Sequence, residues 1–353
     1  MTLSEKKRNI ILNRIIERIG RLEGVRSFDT VNAAKEYGVT IQTVYRYLRK
    51  LEKDGRIIRT PEGRGYVYTL SEYTLQFELP IEWDYEHEVW NAHVESFIKG
   101  TPECAYSIIF YIFTEIINNV KDHSEGTIIK VFISKNEYRT KFIINDNGVG
   151  IFSKIAAALN YPEKRFAVLE LAKGRFTTDP TSHTGEGIFF SSKAADIFVI
   201  NADGLSFASN VSYTAMPEAP FDYLIWDFSH VEKGTEICFI VYNNHSKPLK
   251  SVFDEFVGEP DDYGFDKTAV PVKLVEFGND NPLFISRSQA KRLLARFEEF
   301  KTIILDFSDI EMIGQGFADE VFRIFPERHP GTKLTPVNCS ESIRQMIARV
   351  SKK

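Results

Sequence analysis

The strongest constraint on the fold of this chain is a helical segment with three polar side chains on one face. Residues 113–124 read FTEIINNVKDHS, in which Glu115, Asn119 and His123 occur at every fourth position. Because an α-helix turns by about 100° per residue, these side chains spread over only about 80° of its surface. A carboxylate, an amide oxygen and an imidazole thus face one direction. Such oxygens suit Mg²⁺, which keeps its remaining positions for water and phosphate.

A second segment begins about 20 residues later, where a predicted strand ends in an aspartate and two glycines. Residues 127–134 and 139–145 are predicted to form a strand pair, and the second strand runs directly into DNGVG. Asp146 can accept a hydrogen bond from an exocyclic amine, while Gly148 and Gly150 let the backbone approach a flat ring. The two segments together predict a pocket for ATP and Mg²⁺. The alternative for the second is a surface turn, because DNG is common in turns.

A third segment, residues 173–188, is rich in glycine, serine and threonine and leads into an apolar, predicted helical stretch. A glycine-rich turn before a helix offers free backbone amides and the positive end of the helix dipole to a phosphate group. The Walker pattern G-x-x-x-x-G-K-[ST] does not occur in the chain. The candidate nucleotide contacts in this segment are Lys173, Thr177, Thr184, Gly185 and Gly187. The alternative is an ordinary surface loop.

The three segments together resemble the GHKL ATPase superfamily, which includes gyrase, histidine kinases, mismatch-repair ATPases and the anti-sigma-factor serine kinases. The resemblance implies that residues 80–248 form a Bergerat-type α/β sandwich that binds ATP and Mg²⁺. It assigns the general base to Glu115, the Mg²⁺ contact to Asn119 and recognition of the adenine amine to Asp146. The glycines that it implies for the pocket and its lid are Gly148, Gly150, Gly185 and Gly187.

Two further positions belong to the same comparison. The pair Gly234-Thr235, before a predicted strand at 236–241, resembles the closing strand of the family and adds Thr235 to the expected site. His123 either positions Glu115 or caps and packs its helix. The sequence also leaves open which reaction, if any, the bound ATP undergoes. Glu115 can activate water in an ATPase or a hydroxyl in a protein serine/threonine kinase, and the same pocket can hold ATP without turnover.

The N-terminal 70 residues form a distinct basic unit. They hold 15 Lys and Arg and 8 Asp and Glu, although the whole chain has a net charge of −5. A basic module joined to an acidic body suggests a polyanion partner. Apolar stripes predict helices over 9–19 and 40–55, with a short helix between them that starts at Ser27 or Asp29. A hairpin of strands at 56–60 and 65–70 follows.

This order of elements resembles the winged helix-turn-helix domain of bacterial transcription regulators and implies a DNA-binding domain at 1–72. In such folds the recognition helix enters the major groove and the hairpin contacts the DNA backbone. Val44, Leu48 and Leu51 should then face inward. The expected DNA contacts are Gln42, Thr43, Tyr45, Arg46, Arg49, Arg59 and Arg64. The alternative is a winged helix that serves protein contacts or dimerisation.

The C-terminal region alternates strands and helices, which indicates a largely parallel α/β layer. After a polar linker at 260–268, the predicted strands cover 270–277, 302–307 and 333–338, and the predicted helices cover 286–300, 316–325 and 340–350. Residues 303–322 resemble the STAS domains of anti-sigma-factor antagonists, and more closely the STAS-like domain of unknown function that accompanies such ATPases. Phosphorylatable STAS domains place a Ser or Thr where this chain has Gly314-Gln315-Gly316, so we expect no phosphorylation there.

Composition favours a cytoplasmic protein. No apolar run reaches the ~18 residues needed to span a bilayer, and the N-terminus lacks a signal-peptide core. The widely spaced Cys104, Cys238 and Cys339 predict buried thiols in a reducing compartment rather than disulfides or a metal site.

We therefore expect a multidomain α+β and α/β chain with a winged helix-turn-helix at 1–72, a GHKL domain at 80–248 and a STAS-like domain at 268–353. The expected function is that of a Mg²⁺-dependent ATPase that regulates transcription. Nucleotide would close the 173–187 lid and change the binding of DNA or a partner. The expected partners are DNA, a second copy of the chain, and a STAS-domain or sigma-factor-type protein. No membrane partner is expected.

Overall fold

The computed structural model describes residues 3–22, 28–63, 65–176, 185–209, 223–226, 231, 233–257, 265–276 and 283–351. Over this part of the chain, helices combine with three separate β-sheets of two, seven and three strands. The protein is thus a mixed α and β chain, compatible with a multidomain arrangement. Within the same ranges, no helix is long and apolar enough to cross a membrane.

The N-terminal unit consists of three helices followed by a hairpin, in the predicted order. Its elements are α1 (Leu3–Leu22), α2 (Thr30–Tyr37), α3 (Ile41–Lys53), β1 (Ile57–Glu62) and β2 (Gly65–Leu70). Asp29 caps α2 and Thr40 caps α3, because each side chain accepts backbone N–H groups of the first turn. The inward orientation predicted for Val44, Leu48 and Leu51 is confirmed, since all three are buried.

A seven-stranded antiparallel sheet occupies the middle of the chain. Across the sheet its strands are β3 (Tyr73–Pro80), β4 (Ile128–Lys135), β5 (Arg139–Asp146), β9 (Thr235–Tyr242), β6 (Ile197–Ala202), β7 (Leu205–Ser209) and β8 (Tyr223–Trp226). β4, β5 and β9 match predicted strands closely. The edge strand β3 was not predicted, although Leu75, Phe77 and Leu79 alternate with exposed residues as in a half-covered strand.

Helices pack with this sheet, and the longest of them carries the polar stripe. They are α4 (Glu86–Val89), α5 (Glu95–Ile98), α6 (Glu103–His123), α7 (Ile151–Ala158), α8 (Arg165–Lys173), α9 (Gly187–Ala194) and α10 (Leu249–Asp254). The apolar side of α6 is buried, and the ring of Phe113 lies 5.9 Å from that of Phe142 on β5. α6 also packs against α9 and β9. Its half-buried polar stripe is therefore held beside the end of β5 and the start of α9.

The C-terminal sheet is parallel, as predicted. It comprises β10 (Lys267–Pro271), β11 (Thr302–Asp306) and β12 (Lys333–Val337), connected by α11 (Arg287–Leu294), α12 (Gln315–Asp319) and α13 (Phe325–Arg328) and followed by α14 (Glu341–Val350). Two predicted elements are wrong in extent. The strand expected at 270–277 ends at Pro271, which has no N–H for a further ladder bond, and a 3₁₀ helix follows. The helix expected at 286–300 ends at Leu294, before a left-handed turn at Arg296.

One apolar core is shared by the middle and C-terminal parts of the chain. The ring of Phe265, just before β10, lies 4.6 Å from that of Phe189 on α9 and 5.5 Å from that of Phe300. The N-terminal unit has its own apolar cluster, against which Tyr138 of the β4–β5 turn packs. The N-terminal unit, called here the head, thus has a separate apolar core. The seven-stranded and three-stranded sheets share the other apolar core.

Candidate functional site

A cavity lies where α6, the end of β5 and the start of α9 meet. Its volume of about 150 Å³ is roughly ten times what one water molecule requires. The predicted site residues that line it are Glu115, Asn119, His123, Asp146, Gly150, Gly185, Gly187 and Thr235. The fold therefore brings eight predicted residues from separate segments of the chain to one enclosure of ligand size.

Glu115 lies against the first turn of α9. A Cβ atom built on Gly187 would stand 2.1 Å from Glu115 Oε2, so only glycine leaves room for the carboxylate. Gly187 is the first residue of α9, where the first backbone N–H groups have no partner within the helix and the helix dipole favours negative charge. One helical turn before Glu115, burial and the charges of Glu115 and Glu186 raise the pKa of Tyr111, which stays neutral.

Asn119 is oriented by its own helix. Its Nδ2 atom donates a hydrogen bond to the backbone carbonyl oxygen of Glu115 at 2.8 Å. Because the helix holds the amide nitrogen, the side-chain oxygen is the atom that can face the cavity. The last turns of α6 thus present a carboxylate and an amide oxygen side by side, and hard cations prefer such ligands.

Asp146 ends β5 and is almost completely buried, with 3% of its surface exposed. Burial raises the pKa of its carboxyl, while backbone N–H groups of Gly148 and Thr235 oppose this shift. Gly148 N donates to Asp146 Oδ1 at 2.8 Å, and a Cβ at Gly148 would lie 2.0 Å from the carbonyl oxygen of Ser124. Gly148 therefore shapes the turn behind the cavity, whereas Gly150, with a φ of 85°, lines the cavity itself.

The closing strand β9 approaches Asp146 from its other side. Gly234 has a φ of 81°, and a Cβ there would lie 1.9 Å from the carbonyl oxygen of Asp146. The adjacent Thr235 accepts the backbone N–H of Ile151 through Oγ1 at 3.0 Å. Two segments far apart in sequence thus form one wall of the cavity.

His123, at the end of α6, has a cationic neighbour that sequence reasoning missed. Lys154 also lines the cavity, and its Nζ donates to the carbonyl oxygen of His123 at 2.6 Å and to Glu125 Oε1 at 3.0 Å. Lys154 follows Gly150 by four residues and lies in the first turn of α7. This helical spacing could have predicted that Lys154 faces the same cavity as Gly150. Lys154 adds an amine-bearing side chain to a cavity lining that also carries carboxyl groups.

Lys173, expected to contact nucleotide, lies outside the cavity. It is buried and its Nζ lies 2.8 Å from Glu170 Oε1, and it also donates to the backbone carbonyl oxygens of Arg292 and Ala295. A buried ammonium needs acceptors for its protons, and the end of α11 supplies two of them. Glu170 lines the cavity in its place, although no local pattern had distinguished this residue.

The lid segment is described only at its two ends. Thr177 and Thr184, expected at the nucleotide, lie outside the described residues. Gly185 has a φ of 71°, and a Cβ there would lie 2.5 Å from the carbonyl group of Phe176. Both Phe176 and Gly185 line the cavity, so the two ends of the lid segment meet at the site.

The face predicted to contact DNA is a separate surface of the head. On α3, Gln42, Tyr45, Arg46 and Arg49 are exposed, and Thr43 is half-buried. On the hairpin, Arg59 lies over the ring of Tyr66 at 4.6 Å, and its Nε is 3.1 Å from Glu52 Oε1. Arg64 lies outside the described residues. The surface therefore offers polar and basic groups from the helix and one anchored arginine from the hairpin.

At Gly314, just before α12, the packing leaves no room for a side chain. Gly314 precedes this helix, and a Cβ there would lie 2.4 Å from Ile285 Cγ2 and 2.8 Å from Ile285 Cα. The absence of phosphorylation at this helix start stays a prediction from the missing hydroxyl groups.

The cysteines differ from the prediction in burial. Cys104, Cys238 and Cys339 are free thiols and each is half-buried, because the first and last lie at element ends and Cys238 faces the less covered side of β9. Burial raises the pKa of each thiol. In the part of the chain that the structure describes, no group of three or more His, Cys, Asp or Glu residues is arranged to hold a metal ion.

Comparison with known protein families identifies two segments. Residues 11–72 match the family of FaeA-like proteins. Residues 289–344 match the family described as a STAS-like domain of unknown function (DUF4325). No curated protein matches the chain. The C-terminal part of this protein, at residues 289–344, is therefore a STAS-like domain.

Proposed function

We propose that this protein binds ATP with Mg²⁺ in the cavity, hydrolyses it, and uses the nucleotide state to control binding by its N-terminal unit. The observation that carries the proposal is the meeting of Glu115, Asn119, Asp146 and Gly187 in one enclosure. A concave site with a few convergent polar groups is the usual form of a small-molecule site. The arrangement supports the GHKL resemblance of the sequence.

The residues present fit the two ends of a nucleotide. The buried Asp146 carboxylate can accept the exocyclic amine of adenine, and the close approach of Gly234 forms the adjoining wall. Elsewhere in the cavity lining, Asn119 would hold Mg²⁺ through its side-chain oxygen. The first amides of α9, at Gly187, would bind phosphate oxygens. When bound, Mg²⁺ neutralises negative charge on the phosphates.

Glu115 is the proposed general base. Its carboxylate lies at the start of α9, beside the expected phosphate site. Glu115 would take a proton from water as the water oxygen bonds to the terminal phosphorus. The bond from that phosphorus to the bridging oxygen then breaks, and ADP and phosphate are released. General-base catalysis of this kind contributes about 10²–10⁴-fold in rate.

The head is proposed to bind DNA and to respond to the cavity through the β4–β5 turn. Arg56, just before β1, forms a paired contact with Glu137, and Tyr138 packs into the core of the head. The same turn precedes β5, whose far end, at Asp146, lines the cavity. A rigid connection of this kind can pass a change of domain geometry from the nucleotide site to the DNA-binding face.

The deciding experiment is incubation of the purified protein with γ-labelled ATP and Mg²⁺, followed by separation of free phosphate from labelled protein. We expect free phosphate from the wild type, and at least about 100-fold less from Glu115→Gln, with ATP binding retained. Glu103→Gln removes a charge from the exposed first turn of the same helix and should leave the rate unchanged.

Two results would redirect the proposal. An unchanged rate in Glu115→Gln would remove the base assignment. Label retained on a protein would identify a phosphotransferase, in which Glu115 deprotonates a hydroxyl group instead of water.

A further inference from the structure

We infer that Arg296, supplied by the STAS-like domain, is a positioning residue of the nucleotide site, so that nucleotide binding and the seating of this domain are energetically coupled. The inference rests on the proposed nucleotide function and concerns the regulation of that site. The contact involves residues 170–176, called here the lid base, and residues 292–300 of the C-terminal part.

Glu170 is the centre of the contact. It is fully buried yet lines the cavity. Its Oε1 accepts hydrogen bonds from Tyr161 Oη and Lys173 Nζ, each at 2.8 Å, and Arg296 Nη1 lies 3.3 Å from its Oε2. Two cations, one from each part of the chain, therefore share one carboxylate. Removing either leaves a buried charge that is incompletely compensated.

Arg296 also holds the backbone of the lid base. Its Nη2 donates to the carbonyl oxygen of Arg175 at 2.6 Å, and its guanidinium lies 5.5 Å from the centre of the Phe176 ring. In return, Arg175 Nη1 donates to the carbonyl oxygen of Glu299 at 2.5 Å. Because Phe176 lines the cavity, Arg296 acts on the site through a residue of its wall.

Both arginines in this exchange have left-handed backbone conformations. The φ angle is 57° at Arg175 and 63° at Arg296. Residues with a Cβ adopt such angles where the surrounding structure enforces them, and they concentrate at ligand clamps and switch regions. The left-handed turn follows the end of α11 and brings Arg296 to Glu170 and Arg175. Strained backbone on both sides of one contact is a second, independent sign that its geometry matters.

The coupling acts in both directions. A nucleotide that contacts Phe176 in the cavity wall stabilises the residues that the STAS-like domain holds, and linkage requires that a seated STAS-like domain strengthens nucleotide binding equally. A protein that draws the STAS-like domain away from the lid base would then release nucleotide. The domain would thus regulate the site by contact, without accepting phosphate.

The test measures the affinity of the full-length protein for adenylyl imidodiphosphate with Mg²⁺, by calorimetry. We expect Arg296→Ala to weaken affinity about tenfold, and Arg296→Lys to recover part of the loss because it restores a cation. Arg344→Ala serves as the control, because Arg344 is an exposed arginine on α14 of the same domain and should not change affinity.

Amide hydrogen exchange of the wild type gives a readout that does not depend on how a variant folds. Bound nucleotide should slow exchange over 287–300 as well as over the lid base. Wild-type affinity in a folded Arg296→Ala, or unchanged exchange over 287–300 with nucleotide bound, overturns the inference and leaves the proposed function standing. Absence of binding by the wild type overturns both.

Discussion

Gly187→Ala should slow ATP turnover sharply without weakening the fold. The alanine Cβ would stand 2.1 Å from Glu115 Oε2, and Cβ contacts below 3.0 Å essentially do not occur in proteins. The carboxylate must therefore withdraw by at least about 1.3 Å, from 2.1 Å to 3.4 Å, to reach ordinary van der Waals contact. It can do so, because it is the far end of a flexible side chain.

The magnitude follows from this displacement. A shift of about 1 Å at a catalytic group can reduce the rate about 100-fold, which corresponds to about 2.7 kcal/mol in the activation free energy. Gly187 does not have a left-handed φ, so alanine adds no backbone strain. Within a helix, alanine is favoured over glycine by roughly 0.5–1 kcal/mol. We therefore expect kcat to fall while the melting temperature holds or rises.

The assay pairs phosphate release with thermal unfolding. Gly331→Ala is the matched control, because Gly331 has open space around its Cα and no left-handed φ. Phosphate release at the wild-type rate by Gly187→Ala would refute the placement of Glu115 as the base. A large drop in melting temperature would instead show that the start of α9 cannot adjust as argued.

Three other outcomes rest on contacts elsewhere in the molecule. Gly234→Ala should lower the free energy of unfolding by about 2–4 kcal/mol in urea titrations, because its Cβ would lie 1.9 Å from a backbone oxygen of β5. Gly204→Ala, also left-handed but with open surroundings, should cost only about 1 kcal/mol, and equal losses would contradict the steric argument. The hydrogen bond to Asp196 raises the pKa of His245. This pair should stabilise the fold fully below about pH 6.5, the pKa of unfolded histidine, and lose that contribution as the pH rises through the folded pKa. Urea midpoints of the wild type and His245→Gln should converge with rising pH, and parallel profiles would count against the pair. Arg46→Ala should weaken binding to duplex DNA and make the slope of log K against log salt shallower by about 1; an unchanged slope would place the DNA contact elsewhere.

The elements around the cavity were predictable because their determinants are local. The stripe of Glu115, Asn119 and His123 depends only on the helical repeat, and it faces one cavity as that repeat requires. Asp146 follows from an alternating strand that ends before two glycines. In the head, Asp29 caps α2 with its own side chain, a contact that spans only three residues.

Lys173 illustrates the limit of local reasoning. Its place at the start of a glycine-rich segment favoured a nucleotide contact, but its ammonium bonds to carbonyl oxygens of Arg292 and Ala295, more than 100 residues away in sequence. The left-handed turn at Arg296 was also outside local prediction, because the apolar repeat of α11 indicated a helix that continues to Phe300. In both places, contacts between distant segments outweigh the preference of the nearby sequence.

By itself, the sequence determined which polar side chains share a helix face or follow a strand end, because helix periodicity, strand ends and turn residues act over a few neighbouring positions. Only the tertiary structure decided which of these residues meet. Gly187 lies against Glu115, and Gly234 lies against Asp146. Arg296, from the STAS-like domain, donates a hydrogen bond to the carbonyl oxygen of Arg175 in the lid base. These distances depend on how helices, strands and domains pack across a shared core, and no pattern within one segment specifies the approach of another.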